Sequence, residues 1–214
     1  MSNEAHAPDD GLTRDERFHA QTTAQYAALG RFVQAFEEMI RAIRIANTFL
    51  LGGNLLMQQR HNVLLHHQAM TAWPLFQVMR SLYGVRVQQM GSELDPEELR
   101  VLNEALRYLS TEIQSLINMR NTLLHGTWAI GWVSQDQEDF SQLDVFNFQV
   151  RSSGIELAET PKSVTELDAI TQRCAEAGAL VQKINVAFTA FSPPRVRFNI
   201  HQVGKVWVDG PVPK

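Results

Sequence analysis

One cysteine, Cys174, stands among 214 residues, so no disulfide can close within the chain and no cysteine-based metal site can be assembled from it. Its place within a helical pattern marks it as a small packing residue, and a reducing cytoplasm fits that usage. Long apolar runs are missing too: no stretch approaches the roughly eighteen uninterrupted apolar residues of a bilayer crossing. Met1 to Gly11 is polar and acidic, without the basic and apolar regions of a secretory leader. The expected location is therefore cytoplasmic, with no membrane among the partners. An excess of positive charge is also lacking. Lys and Arg total 19 against 23 Asp and Glu, for a net charge of −4 and a pI near 6.0. That excludes a global basic field of the kind that drives non-specific nucleic-acid binding, so any such site must be local. No internal repeat or low-complexity tract appears.

What remains is the composition of an ordinary soluble chain, 44% apolar and 20% charged, long enough for one domain with appendages. The periodicity is mostly helical. Thr13 and Glu16 form a possible capping box. After it Tyr26, Leu29, Val33, Phe36, Ile40, Ile43 and Leu50 step by threes and fours, with Asn47 in phase, up to Gly52-Gly53. Asn54 to about Met90 reads as two helices or one bent one, because Pro74 forces a kink or break. Asp95-Pro96-Glu97-Glu98 reads as an N-cap, a first-position proline and an early carboxylate. The helix it opens carries Leu99, Leu102, Leu106, Leu109, Ile113, Leu116 and Leu123 on one face and stops at Gly126. Thr127 to Val133, Val145 to Arg151 and Ile155 to Ala158 read as strands of a small antiparallel β-meander. Ser163 to Phe191 returns to helix, with Ser163 as N-cap, Glu166 at the third position and Leu167, Ile170, Cys174, Leu180, Ile184 and Phe188 inward, until Pro193-Pro194. The expected fold class is mostly α, a helical bundle with a small antiparallel β-meander inserted before the last long helix. The expected organisation is a disordered N-terminus over 1–12, a helical domain over 13–191 with the meander at about 127–158, and an extended tail over 192–214. The alternating tail, with Val196, Phe198, Ile200, Val206 and Val208, is suited to adding a strand to this sheet or to a partner.

One residue breaks the pattern. The stepping of the fourth segment lands on Arg120 near the middle of its apolar stripe, while Gln114, Asn118, Asn121 and His125 line a flank about 100° to 160° away. Burying a guanidinium without a partner costs several kcal/mol. Arg120 therefore either meets a carboxylate inside the bundle, with Glu37 and Glu38 the candidates, or opens onto a groove where an anion binds. A purely structural bundle with Arg120 paired internally is one reading of this residue.

Arg120-Asn121, three further residues and His125-Gly126 resembles the Arg-polar-x3-His signature of the HEPN superfamily, small helical domains that are often metal-independent ribonucleases and otherwise non-catalytic binding modules. In those domains the signature ends a long late helix, and the segment ending at His125 fits that placement. Leu29 to Glu37 is similar to the first long helix of some bacterial members. The resemblance covers about residues 20–190, mostly as architecture. It implies a metal-independent endoribonuclease that uses 2′-hydroxyl attack to leave a 2′,3′-cyclic phosphate and a 5′-hydroxyl. In that chemistry His125 moves the proton and Arg120 holds the charge gathering on the phosphate oxygens. Asn121, four residues before His125, orients the imidazole or accepts a substrate hydrogen bond. No cofactor is implied. Paired signatures across a two-fold axis imply a homodimer with a composite site, with RNA as substrate, an antitoxin or activator as possible protein partner, and a toxin–antitoxin or phage-defence setting. The alternative the resemblance implies is a non-catalytic module binding RNA, a nucleotide or a protein partner, with Arg120 as anion anchor.

Around this core, Asn118 on the amide ridge is a candidate substrate or interface contact, Glu37 a group that balances or fixes Arg120, and Arg41 a phosphate contact, with Arg44, Arg60, Arg195, Arg197 and Lys205 as weaker ones. Trp128 and Trp132 are candidates for base stacking, though alternating aromatics in a strand more often pack inward. His61, His66 and His67 lack the spacing of four that sets two imidazoles on one helical face, so no metal site is expected.

Overall fold

The computed structural model describes residues 11–51, 70–90, 96–130, 140, 142–151, 154–189, 200–203 and 206–209. Four helices dominate: α1 (Arg14–Leu51), α2 (Ala72–Met90), α3 (Pro96–His125) and α4 (Val164–Thr189). The expected disorder of 1–10, the helical segment over 52–69 with its histidines, Asp95, the strand residues beyond Ile130 and the tail segment 190–199 lie outside the described residues.

Local chemistry sets the helix starts. At α1 the Thr13 backbone N–H donates to Glu16 Oε2 at 2.9 Å, and the Glu16 N–H returns to Thr13 Oγ1 at 3.3 Å. This reciprocal box satisfies donors that the first turn otherwise leaves orphaned. The Thr13 hydrogen bonds also hold the Glu16 carboxyl below its ordinary range. Ser163 and Glu166 repeat the device at α4, with Ser163 N–H to Glu166 Oε2 at 2.8 Å and Glu166 N–H to Ser163 Oγ at 3.2 Å. Residues 70–71 are not helical, and Pro74 follows the start of α2 at Ala72. It falls in the first turn, where a missing N–H removes no intrahelical bond.

The chain divides into two compact units. Unit 1 comprises residues 1–35 and 118–172, and unit 2 comprises residues 36–117 and 173–214. In unit 2 the stripe Phe36, Met39, Ile43, Ala46 and Leu50 of α1 is buried together with Leu75, Phe76 and Met79 of α2, Leu102, Leu109, Ile113 and Leu116 of α3, and Cys174, Leu180 and Ile184 of α4. Gly178 of α4 lets the Met39 backbone come close, since a Cβ there would lie 3.3 Å from Met39 Cα. Arg173 Nε donates to Glu112 Oε1 at 2.6 Å and its Nη2 to Ser115 Oγ at 3.1 Å, joining α4 to α3.

Unit 1 buries Ala28 and Phe32 of α1, Leu123 of α3, Leu167 and Ile170 of α4, and Phe140. Phe140 is gripped by α1 in three ways. Its N–H donates to Gln21 Oε1 at 2.7 Å, its carbonyl accepts from Gln25 Nε2 at 2.5 Å, and its ring meets Phe18 edge-on at 5.3 Å. Here the α1 stripe departs from the expected phase: Gln25, Ala28 and Phe32 are buried, whereas Tyr26 is 61% exposed.

The fold class requires a correction. Mostly α holds, but the β-meander does not stand as a component of the packed fold. The buried apolar side chains that are described belong to the four helices and to Phe140. The backbones of Thr127–Ile130, Gln142–Arg151 and Gly154–Ser163 pair antiparallel. The physical reason lies in where apolar surface is continuous. The helices carry unbroken faces at 3.6-residue spacing, whereas the two longer extended runs interrupt their apolar residues with Asp144, Asn147, Gln149, Glu156 and Glu159. In the tail, Ile200–Val203 pairs antiparallel with Val206–Asp209 as a separate two-stranded ribbon. No helix among the described residues is long and apolar enough to cross a membrane.

Candidate functional site

The C-terminal turn of α3 is closed from both sides of the chain reversal. Gly126 N–H donates to the Thr122 carbonyl at 3.1 Å, and the Trp128 indole N–H donates to the carbonyl of Leu123, a fully buried residue. These two donors take carbonyls that a helix end leaves without intrahelical partners. The cationic side chains of the same turn are therefore not needed for those carbonyls. The Trp128 N–H is spent on this cap, a role that alternation alone did not suggest.

Arg120 occupies the apolar phase of α3 but is only half-buried, and His125 and Asn121 are exposed. A long stem lets its head reach along the helix to the terminal turn, five residues and ~7.5 Å of axis away. Nη1 lies 3.2 Å from His125 Nε2 and 3.4 Å from Asn121 Oδ1. A guanidinium only donates. As a hydrogen bond, the His125 contact requires Nε2 to accept, which fits the tautomer with its N–H on Nδ1. The two hydrogens of Nη1 then face the two acceptors. Among the described residues no carboxylate pairs with Arg120, and nothing accepts from its Nε or Nη2. That edge is the fork which matches two oxygens of a phosphate or carboxylate.

The expected internal partner of Arg120 is corrected in part: Glu38 pairs with Arg41 one turn along α1, Nε to Oε2 at 2.8 Å. Glu37 is exposed. Glu37 and Arg41 belong to unit 2, whereas Asn118, Arg120, Asn121 and His125 belong to unit 1. Contact thus brings together Arg120, Asn121 and His125. Asn118 lies exposed on the same helix, and Gln114 is half-buried. Arg60, His61, His66, His67, Trp132, Arg195, Arg197 and Lys205 lie outside the described residues.

Other titratable groups answer to burial rather than to this cluster. Desolvation pushes the Cys174 thiol up to about 12 and drives the Tyr83 hydroxyl far above its ordinary value. Desolvation, with Glu112 and Glu176 nearby, also raises Tyr108. The Glu112 hydrogen bond holds the Arg173 guanidinium more firmly protonated. Among the described residues no group of three His, Cys, Asp or Glu side chains is placed to hold a metal ion. The residues that sequence reasoning missed are Gln21, Gln25 and Phe140, whose association spans more than a hundred positions and carries no local periodic signal. Compared with known proteins, this chain matches no family model, no curated protein and no solved structure.

Proposed function

We propose that the Arg120-Asn121-His125 cluster binds an RNA phosphodiester and that the chain, as a cytoplasmic HEPN-like homodimer, is a metal-independent endoribonuclease acting in toxin–antitoxin or antiviral defence. The observation that carries this reading is a guanidinium 3.2 Å from an exposed imidazole, with no acceptor at Nε or Nη2 and no carboxylate partner among the described residues. The ribose 2′-oxygen attacks the adjacent phosphorus as its proton passes to a histidine base. The P–O5′ bond breaks, the leaving oxygen takes a proton from a histidinium, and a 2′,3′-cyclic phosphate and a 5′-hydroxyl remain. Arg120 holds the non-bridging oxygens as their charge rises. Two-fold pairing supplies the second histidine.

The test is incubation of the purified protein with total RNA in EDTA, beside its His125→Ala and Arg120→Ala variants. Cleavage leaving cyclic phosphate ends, lost in both variants, supports the reading. Cleavage unchanged in His125→Ala overturns it. A second reading, a non-catalytic module with Arg120 as anion anchor, is favoured by one observation: the Nε2 lone pair that a general base needs faces the guanidinium. It predicts RNA or nucleotide retention that Arg120→Ala abolishes, with no cut ends.

A further inference from the structure

The contact between Arg120 and His125 has a chemical consequence for how the site is controlled. His125 Nε2 accepts from Nη1, so the lone pair with which the ring would take a proton is occupied. A second proton on that ring would remove the acceptor and set two cations 3.2 Å apart. Among the described residues Arg120 is the charged group in contact with His125, no carboxylate pairs with either ring nitrogen, and the neighbouring Asn121 is neutral. The Nε/Nη2 edge, on the other side of the same guanidinium, stays open.

We infer that Arg120 couples anion binding to proton binding at His125: an oxyanion seated on the open fork offsets the guanidinium charge and permits the imidazole to leave Nη1 and take a proton. With the fork empty, Nη1 keeps its contact with Nε2, and a proton arriving at that nitrogen must displace it. The ligand chemistry is that of a phosphate or sulfate, with two oxygens at the spacing of the fork. Coupling between two sites is reciprocal, so acidity tightens the anion as much as the anion favours the proton. The inference rests on the proposed role of Arg120 as the anion anchor but not on catalysis. It makes the phosphate itself the signal that arms the histidine, which is therefore idle until a substrate-like anion arrives.

The probe is sulfate, whose charge is constant between pH 5.5 and 8, titrated at constant ionic strength into the full-length protein. Sulfate affinity is expected to rise about fivefold from pH 8 to pH 5.5, the low end of coupled-site effects because the ring is exposed. At one fixed pH, nitrogen NMR of the His125 ring should show the doubly protonated fraction rising when sulfate is added. In His125→Gln, which keeps an acceptor for Nη1, sulfate should still bind but with no pH dependence. In Arg120→Met the ring should titrate without regard to sulfate. A pH dependence that survives in His125→Gln overturns the coupling, as does a wild-type ring that sulfate leaves unchanged. Sulfate binding unaltered by Arg120→Met identifies an adventitious ion only and overturns it equally. RNA cleavage unchanged in His125→Ala in the earlier test, with sulfate coupling intact, would remove the ribonuclease reading and leave this inference standing.

Discussion

Arg120 stands where the repeat of α3 asks for an apolar side chain, yet it is half-buried, with its head at the helix end and without an ion pair among the described residues. Replacing such a group removes little that holds the fold together. Arg120→Met is expected to change stability by less than ~1 kcal/mol, measured as a urea midpoint, while RNA or anion retention is lost. A destabilisation of several kcal/mol would instead indicate a buried charge network. Cys174 makes a pH-dependent prediction. Burial raises its thiol from an ordinary value near 9.0 to about 12, so the native state holds that proton more tightly than the unfolded chain does. This contribution to stability is fully present below about pH 9 and is lost as pH rises from there toward 12. Tyr83 acts in the same direction at still higher pH. Urea midpoints at pH 8 and 10.5 should therefore differ more in the wild type than in Cys174→Ala. A thiol reagent at pH 8 should label the native protein very slowly and the denatured chain fully.

At the scale of elements, helices were legible because their signals are local. Capping boxes at Thr13 and Ser163 span three residues, and stripes at 3.6-residue spacing need only one helical face. Ser163→Ala is expected to cost ~1 kcal/mol of stability, read from chemical denaturation. Arg31→Ala, which breaks an ion pair with Asp168 whose partners are both about half exposed, should cost less than ~1 kcal/mol. The grip on Phe140 is of another kind. Gln25 is fully buried and its amide serves the Phe140 carbonyl. Gln25→Ala should therefore cost more than Arg31→Ala, ~1–2 kcal/mol, because it strands a buried acceptor. Nothing in the spacing of α1 announced this contact. Spacing alone placed Tyr26 inward, whereas the buried face runs through Arg17, Thr22, Gln25 and Ala28. The meander failed as a component of the fold for the converse reason. Alternation marks a chain that can extend and does not by itself specify a core.

For the whole molecule, the fold depends on close approach between distant segments. Gly178 leaves room for the Met39 backbone, so Gly178→Val is expected to destabilise by ~1–3 kcal/mol through overpacking, observable as a lowered melting temperature. The proposed homodimer is expected to sediment at twice the chain mass of 24.2 kDa, and a purely monomeric species at micromolar concentration would count against a composite site. The sequence by itself determined the mostly helical character, the helix starts and the placement of Arg120, Asn121 and His125 near one helix end. Each follows from covalent spacing along a single helix of 3.6 residues per turn. Tertiary structure alone decided that Gln21 and Gln25 clasp Phe140, and that no described residue accepts from Nε or Nη2 of Arg120. Those outcomes depend on which segments meet in space, and the free energy of meeting is set by burial and partner geometry that no local repeat encodes.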